Sequence, residues 1–309
     1  MPRVVLFGEC MLELQGQAFG PMQQGFGGDT LNTAVYLARC AGTRLQVGYA
    51  TALGDDGLST GLLTRWQAEA LDTGLVQRLP GRMPGLYLIE VDAQGERSFS
   101  YWRDHSAAKA YFDAPETPLE QAADQIDALY LSGISLAILP AAGRERLLAL
   151  MARLRARGAT VVFDNNYRPR LWASRAEAHA WFDSAYALAS IALVTADDEQ
   201  ALRGLATLDE AVAAASALPC PEVAIKRGRA ATLVRTASGV QEIATERVEK
   251  VVDTTAAGDS FAAGYLAVRL QGGSTLDAAR HGNRLAGRVI QHRGALIPSE
   301  VMTDLVLSK

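Results

Sequence analysis

Short apolar runs alternate with longer stretches of helical periodicity along most of this chain. Runs rich in β-branched and aliphatic residues, which are typical of buried strands, cover residues 4–8, 46–52, 128–132, 159–164, 192–195 and 222–226. Segments with apolar residues at helical spacing lie between them, at residues 31–41, 58–70 and 143–157. Strands that alternate with helices predict parallel strands joined by crossover helices. The pattern therefore predicts an α/β fold with a mostly parallel sheet.

Two strand-like runs interrupt this alternation. Residues 85–91 and 96–102 are joined by Asp92-Ala93-Gln94-Gly95, which predicts a β-hairpin inserted into the α/β chain. Tyr87, Tyr101 and Arg103 can then fall on a common surface. Such an insertion can cover a site or form an oligomer interface, although aromatic residues on strands are more often ordinary sheet packing.

The last part of the chain places a turn of small residues in front of a helix. Residues 232–235 and 240–244 predict an antiparallel pair, and residues 247–252 predict a further strand. Residues 253–266 (DTTAAGDSFAAGYL) follow, and a helical pattern begins at about Gly258. A final helix is predicted at residues 275–290, which include Asn283.

The turn before that helix carries the most informative chemistry. The first N–H groups of a helix lack intrahelical partners and attract anions, and Ala256, Ala257 and Gly258 have almost no side chain to obstruct one. Asp259 lies at the same point, where its carboxylate would repel a bound phosphate. This combination suits phosphoryl transfer, in which N–H groups hold developing charge while a carboxylate takes the proton of an attacking hydroxyl. The alternative is close helix packing with an ordinary N-terminal acid.

Three further polar segments are candidates. Residues 25–34 (GFGGDTLNTA) combine flexible glycines with Asp29 and Asn32, although they also suit a capped helix after a loop. Residues 164–172 (DNNYRPRLW) follow a strand, and ligands collect beyond the carboxyl ends of parallel strands. Residues 197–199 (DDE) either orient a hydrated metal or favour a helix N-terminus.

Length, composition and charge exclude several classes. A chain of 309 residues that is 49% hydrophobic and 21% charged predicts one large soluble domain. A net charge of −4 without a basic run argues against a nucleic-acid or membrane partner. Neither a signal peptide nor a membrane span is predicted, so a cytoplasmic location is expected. Cys10, Cys40 and Cys220 lack the spacing of a disulfide framework or zinc site and are expected to be buried apolar fillers. The Walker A, GxGxxG, HExxH and GxSxG motifs are missing from the sequence.

Residues 27–34 (GGDTLNTA) and 253–266, in this order and at this separation, resemble the two signatures of the ribokinase-like (PfkB) sugar kinases. The alternating pattern with a hairpin insertion extends this resemblance over essentially the whole chain. It implies a ribokinase-like three-layer α/β/α sandwich with a mostly parallel central sheet. The expected organisation is a single domain of residues 1–309, with a small β lid formed by about residues 9–26 and 85–104.

Within that family, residues 25–32, 85–87, 101–103, 164–172 and 253–259 resemble the enterobacterial kinases that act on 2-dehydro-3-deoxy-D-gluconate. The resemblance implies ATP-dependent phosphorylation of this sugar acid at its terminal 6-hydroxyl, with Asp259 as general base and the backbone of Ala256, Ala257 and Gly258 as anion hole. The sugar contacts that it implies are Gly28, Asp29, Thr30, Leu31, Asn32, Tyr87, Tyr101, Arg103, Arg168 and Asp259. The nucleotide contacts that it implies are Asn166, Arg168, Thr195, Lys226, Arg227, Gly228, Asn283 and the backbone at 256–258.

The chain departs from the family pattern at its metal-linked motif. Many members carry Asn-x-x-Glu there, whereas this chain has Thr195-Ala196-Asp197-Asp198. Asp198 stands at the acidic position, so the resemblance assigns it to hydrated Mg²⁺ through water. The family also implies a possible homodimer, or a higher homo-oligomer, through the lid.

Alternative functions remain at this stage. A kinase of the same fold could act on a neutral sugar such as fructose or ribose. Arg103 and Arg168 argue for a sugar acid, because guanidinium forks bind carboxylates in a bidentate manner. A sugar-binding regulator without catalysis is a different class, against which the intact Asp259 argues. An oxidoreductase is a third class, which the missing dinucleotide motif disfavours.

Overall fold

The computed structural model describes residues 1–17, 19–91 and 97–307, without the side chains at positions 91 and 97. Its strands are β1 (Arg3–Phe7), β2 (Met11–Gly16), β3 (Met22–Gly27), β4 (Gln46–Leu53), β5 (Val76–Arg78), β6 (Gly85–Val91), β7 (Arg97–Trp102), β8 (Ala128–Ser132), β9 (Thr160–Asp164), β10 (Ile191–Thr195), β11 (Glu222–Arg227), β12 (Ala230–Thr236) and β13 (Gly239–Ile243). Its α-helices are α1 (Asp29–Ala41), α2 (Gly57–Ala68), α3 (Pro118–Gln121), α4 (Gly133–Ala137), α5 (Ala141–Ala156), α6 (Arg175–Leu188), α7 (Ala196–Arg203), α8 (Leu208–Ser216), α9 (Ala257–Arg269) and α10 (Thr275–Val289).

The main sheet has nine strands in the order β13-β12-β11-β10-β9-β8-β1-β4-β5. Pairing is parallel from β11 through to β5, while β12 and β13 add an antiparallel edge. Parallel strands run in the same direction, because their connections cross over the sheet. The carboxyl ends of these strands therefore lie at the same edge of the sheet. That edge is where the predicted polar segments gather.

Helices cover both faces of the main sheet. One hydrophobic cluster joins side chains of α5 and α6, such as Leu147 and Phe182, to one face. A second joins side chains of α1, α9 and α10, such as Leu31, Leu266 and Leu285, to the other face. The fold is therefore an α/β/α sandwich with a mostly parallel sheet, and the predicted fold class is confirmed.

A second sheet of four strands has the order β3-β2-β6-β7. Strands β6 and β7 pair antiparallel, with Tyr87 opposite Tyr101, and β2 pairs parallel with β6. The predicted turn at residues 92–95, together with Glu96, lies outside the described residues. The chain leaves β1 for β2 through Gly8, Glu9 and Cys10, so this sheet is joined directly to an interior strand of the main one.

The strand predicted at residues 247–252 is wrong. In the structure this segment forms no part of a described strand, and the chain reaches α9 as an irregular loop. Its backbone is held at one point, where the N–H groups of Val252 and Asp253 both donate to the carbonyl of Ile290. The apparent alternation came from residues that are largely exposed, among them Arg247 and Lys250. Their period of two reflects no buried sheet face.

Hydropathy of the helices gives one further finding. Across the described ranges, no helix combines the length and the apolar character needed to cross a membrane.

Candidate active site

A cavity of about 450 Å³ lies where the carboxyl ends of β9, β10 and β11 face the second sheet. The starts of α1 and α9 form its base, and aromatic side chains of β6 and β7 form its wall. Its lining includes Gly28, Asp29, Asn32, Tyr87, Phe99, Tyr101, Asp164, Asn166, Arg168, Thr195, Asp198, Lys226 and residues 254–259. The three polar segments and the small-residue turn of the sequence therefore meet in one place.

Helix α9 presents an open N-terminus to this cavity. Ala256 precedes it in the left-handed conformation (φ 59°, ψ 16°), and no side chain of the described residues caps it. A non-glycine residue in this region costs about 1–2 kcal/mol, so the turn stores some strain. Since backbone N–H groups at an uncapped helix start favour anions, residues 256–258 can hold a phosphate group.

Asp259 lies in the first turn of α9, where it is partly buried and lines the cavity. Its Oδ2 accepts a hydrogen bond of 2.8 Å from the Nδ2 of Asn32. Burial raises the pKa of Asp259 to about 7, the nearby charges of Asp29 and Asp164 add to the rise, and the Asn32 hydrogen bond and Lys226 oppose it. A carboxyl with a pKa near neutrality is suited to take a proton from a hydroxyl at physiological pH.

Asn32 connects this carboxyl to the ligand space. Its Nδ2 is used on Asp259, whereas its Oδ1 is buried and accepts no hydrogen bond from the described part of the chain. A Cβ at Gly27 would lie 2.9 Å from the hydroxyl of Tyr87 and 3.9 Å from this Oδ1. Glycine at position 27 therefore leaves room around this buried acceptor, beside Asp259.

Asp29 joins the sugar and nucleotide segments that the sequence predicted. One carboxylate oxygen accepts hydrogen bonds from Ser132 Oγ at 2.5 Å and from Asn166 Nδ2 at 2.6 Å. Asn166 itself has a positive φ of 28°. Asp29 thus contacts the turn after β9 through the side chain of Asn166.

A buried ion pair lies opposite Asp259. Lys226 Nζ donates to both carboxylate oxygens of Asp164, at 2.9 and 3.2 Å. Burial raises the pKa of Asp164, and the Lys226 ammonium acts against this rise. The sequence placed Asp164 in the candidate segment 164–172 but assigned it no role, although a carboxylate at the end of a buried strand is a signal that could have singled it out.

The predicted sugar contacts divide into lining and supporting residues. Gly28, Asp29, Asn32, Tyr87, Tyr101, Arg168 and Asp259 line the cavity. Thr30 and Leu31 have fully buried side chains, and Thr30 is bonded to Tyr49 beneath the site. Tyr87 donates to Glu13 and packs 6.0 Å, centroid to centroid, from Tyr101.

Arg103 is engaged away from the cavity. Its guanidinium pairs with the carboxylate of Glu9, and the two side chains are only 11% and 1% exposed. No sequence pattern indicated this partner, which lies 94 residues earlier in the chain. The structure therefore does not bring Arg103 together with the other predicted sugar contacts.

The predicted nucleotide contacts also divide. Asn166, Arg168, Thr195, Lys226 and residues 256–258 line the cavity. Arg227 and Asn283 lie beside it on the β12 and β13 side, where Arg227 bonds to Ala231 and Glu242 and Asn283 accepts from Thr232. Gly228 forms the turn between β11 and β12 with φ 59°.

Asp198 is the acid that the sequence assigned to a metal. It lines the cavity and accepts from Arg168 Nη1 at 3.3 Å. Burial raises its pKa, while Arg168 and Lys226 oppose the rise. Within the described ranges, no group of three or more His, Cys, Asp or Glu side chains is arranged to hold a metal.

Fold and site together define an α/β protein that places an uncapped helix start beside a carboxyl group with a raised pKa. The chain matches the pfkB family of carbohydrate kinases over residues 1–302. It belongs to that family and is a carbohydrate kinase.

Known proteins support this assignment at two levels. The 2-dehydro-3-deoxygluconokinase of Dickeya dadantii is 49% identical over 304 residues, covering 97% of this chain and 98% of that one. The enzyme of the same name from Escherichia coli K12 is 48% identical over 306 residues, covering 97% and 98%. The crystal structure of a PfkB protein from Polaromonas sp. JS666 superimposes with a TM-score of 0.83 at 25% identity, covering 98% of this chain and all (100%) of that one.

Proposed function

We propose that this protein transfers the γ-phosphoryl group of ATP to the terminal 6-hydroxyl of 2-dehydro-3-deoxy-D-gluconate, giving the 6-phospho product. The observation that carries the proposal is the Asp259 carboxyl, which lines the cavity in the first turn of an uncapped helix and whose pKa is raised to about 7. Relatives that are nearly half identical in sequence over almost the full chain are named 2-dehydro-3-deoxygluconokinase. This supports the assignment of 2-dehydro-3-deoxy-D-gluconate as the substrate.

The reaction follows from the positions of these groups. The 6-hydroxyl gives its proton to Asp259 as its oxygen bonds to the γ-phosphorus, and the bond from that phosphorus to ADP breaks. The N–H groups at residues 256–258 stabilise the negative charge on the phosphoryl oxygens. Asn32 holds the carboxylate of Asp259 with its amide N–H.

The sugar acid is proposed to lie between Asn32 and the aromatic wall formed by Tyr87 and Tyr101. Arg168 extends from the turn after β9 with a side chain that is 52% exposed, and its fork can bind the carboxylate. Arg103 needs a change of partner before it could do the same, because Glu9 holds it. Arg168 is therefore the stronger candidate to distinguish a sugar acid from a neutral sugar.

The nucleotide is proposed to occupy the side of the cavity near Thr195 and Lys226, with Arg227, Gly228 and Asn283 at its border. Mg²⁺ fits this site as an ion held by the ATP phosphates and water, with Asp198 as the protein carboxylate behind the water. Bound there, Mg²⁺ would neutralise phosphate charge. One carboxylate beside substrate phosphates is a common arrangement for this ion, which agrees with the lack of a dedicated cluster in the described residues.

The second sheet is proposed to be the lid of a single kinase domain spanning residues 1–309. Closure of the lid would exclude water from the transferred phosphoryl group. Its exposed Trp102 and Met22 offer apolar area for a homodimer. A cytoplasmic location belongs to the same proposal, since the three cysteines are free thiols, as expected in a reducing compartment.

The proposal is tested by ADP release from the purified protein over a panel of 2-dehydro-3-deoxygluconate, its galacto epimer, gluconate, fructose and ribose. We expect the highest kcat/KM for the 2-dehydro-3-deoxy acids, and a product whose phosphorus couples to the protons on carbon 6 in NMR. A higher kcat/KM for fructose or ribose would establish the neutral-sugar alternative. Sugar binding without ADP release would indicate a regulator.

A further inference from the structure

The cavity contains a buried ion pair whose acid takes no part in the proton transfer proposed above. Asp164 ends β9 and Lys226 lies near the end of β11, with β10 between these strands. The two side chains are only 5% and 11% exposed, and the hydroxyl of Tyr130 donates to Asp164 at 3.4 Å. The acid is thus held from two sides within the protein.

Lys226 is directed at the helix start by this pairing. A Cβ built on Gly258 would lie 3.7 Å from Lys226 Nζ, so the ammonium is next to the first turn of α9. A lysine head is a compact charge on a flexible stem, and its location depends on the group that holds it. Here that group is Asp164.

The hydrogen bonds of the acids in the cavity also explain why Lys226 pairs with Asp164. Asp29, Asp164, Asp198 and Asp259 all line the cavity with Lys226, and Asp198 accepts a hydrogen bond from Arg168. Asp29 is occupied by Ser132 and Asn166, and Asp259 is held by Asn32. If Lys226 paired with Asp259, the ammonium would favour the ionised carboxylate and weaken it as a base. The pair with Asp164 avoids this.

We propose that Asp164 is a positioning residue for phosphoryl transfer: it keeps Lys226 beside the first turn of α9, facing the phosphoryl group, and out of an ion pair with Asp259. During transfer, the ammonium and the N–H groups of residues 256–258 share the charge of the phosphoryl oxygens, while Asp259 receives the proton. This inference rests on the proposed kinase function.

The first test is Asp164→Asn, which keeps the size of the side chain and removes its charge. We expect kcat to fall by about 10- to 100-fold, less than the roughly 100- to 1,000-fold that the loss of a direct transition-state donor costs. The KM for the sugar acid should change little, because Asp164 acts on the phosphoryl side of the cavity. Unchanged kcat in a folded variant would overturn the inference.

The second test is the acidic limb of the pH profile, which is the fall of kcat/KM at low pH. A purely structural role of Asp164 would leave the pH of this limb unchanged. Asp259 is faced by Asp29, Asn32 and Tyr36 from α1, by Tyr130 from β8, by Asp164 from β9 and by Lys226 from β11. Asp164→Asn removes a negative charge and should shift the limb to lower pH. Lys226→Met removes the positive charge and should shift it to higher pH. Identical limbs in both variants and the wild type would contradict the proposal.

A double variant tests whether Asp164 works through Lys226. We expect Asp164→Asn with Lys226→Met to be no slower than Lys226→Met alone, because the positioning residue then has nothing to position. Losses that multiply would show that Asp164 acts independently and would overturn the inference. This comparison also serves if Asp164→Asn alone folds poorly.

Strand β11 provides a matched control at its other end. Glu222 is a buried acid that accepts from Tyr265 at 2.7 Å and from Arg269 at 2.7 and 3.0 Å, far from the cavity. Glu222→Gln should lower the melting temperature without changing kcat or the acidic limb per folded molecule. If Asp164→Asn behaved in the same way, its role would be structural only. Wild-type enzyme inactive on every sugar acid would instead refute the proposed function.

Discussion

The base of the cavity and its aromatic wall are built in different ways. At the base, Asp259, Asp29 and Asp164 each have a hydrogen-bond partner inside the protein, and all lie at the ends of core elements. On the wall, Phe99 and Tyr101 are 43% and 50% exposed and stand on a four-stranded sheet outside the main one. The groups proposed for phosphoryl transfer are therefore preorganised, whereas the proposed recognition of the sugar depends on where the second sheet lies.

The junction between these regions is tightly packed around Glu9. A Cβ at Gly28, just after β3, would lie 2.2 Å from the Glu9 carbonyl oxygen. At Gly85, which begins β6, it would lie 2.7 Å from Glu9 Oε1 and 3.2 Å from the Cβ of Arg103. Chain segments that enter and leave the second sheet thus converge on the Glu9 and Arg103 pair. This pair fixes the wall relative to the base.

The largest effect is expected at the base, from Asp259→Asn. Loss of a positioned general base usually costs about 10²- to 10⁴-fold in rate, and we expect kcat to fall by at least the lower of these factors. Sugar and ATP should still bind, because the helix start and the wall remain. Single-turnover rates and sugar affinity of the same preparation measure both.

Stability provides the complementary readout for this variant. The folded-state pKa of Asp259 lies above its unfolded value, so ionisation of this group destabilises the fold as pH rises through about 7. Asp259→Asn should therefore be at least as stable as wild type at pH 8. A large loss of stability there would mean that the lost activity cannot be assigned to the base.

Sequence patterns anticipated the base far better than the junction. Asp259 and residues 256–258 are neighbours in the chain, so a local motif records their geometry directly. The Glu9 and Arg103 pair joins positions 94 residues apart, and the Asp164 and Lys226 pair joins positions 62 apart. Such contacts depend on strand order and side-chain rotamers, which local periodicity does not encode. The segment at residues 247–252 shows the converse, a local alternation without a partner strand.

The next largest effect is expected at the junction, where loss of Arg103 should lower the stability of the protein. Arg103→Ala leaves the Glu9 carboxylate buried without its cation, and breaking a buried pair costs about 3–5 kcal/mol. We expect a lower free energy of unfolding by denaturant.

Arg168→Ala, at a half-exposed position, should leave stability nearly unchanged and raise the KM for the sugar acid by roughly 10- to 100-fold, since a charge-assisted hydrogen bond contributes about 1.5–3 kcal/mol.

A double variant distinguishes the pair from the arginine alone. Glu9→Gln combined with Arg103→Ala removes both charges, so part of the lost stability should return. If Arg103→Ala were fully stable and instead raised the KM as much as Arg168→Ala, Arg103 would be a direct sugar contact, as the sequence predicted.

A smaller effect is expected in the pH dependence of kcat/KM, which tests the raised pKa of Asp259. Asp259 must be ionised to accept a proton, and its pKa is about 7. We therefore expect kcat/KM to be steady above that pH and to fall about tenfold per unit below it. Measurements between pH 5.5 and 8.5, roughly one to two units on either side of this pKa, cover the limb. A limb centred near 4, about the value of an unperturbed Asp, would show that neither burial nor the neighbouring acids raise the pKa of Asp259 in the free enzyme.

The smallest effect is expected in the wall, where sugar should reduce motion without changing the chemistry. If the second sheet closes over the ligand, its backbone amides open less often and exchange with solvent more slowly. We expect slower hydrogen exchange in β6 and β7 when 2-dehydro-3-deoxygluconate is added, with β8 in the main sheet as an internal control. Tyr101→Ala should weaken this protection because it removes the side chain that contacts the ligand space. Equal exchange with and without saturating sugar would mean that the sheet is already in its binding position, and specificity would then rest on fixed side chains such as Arg168.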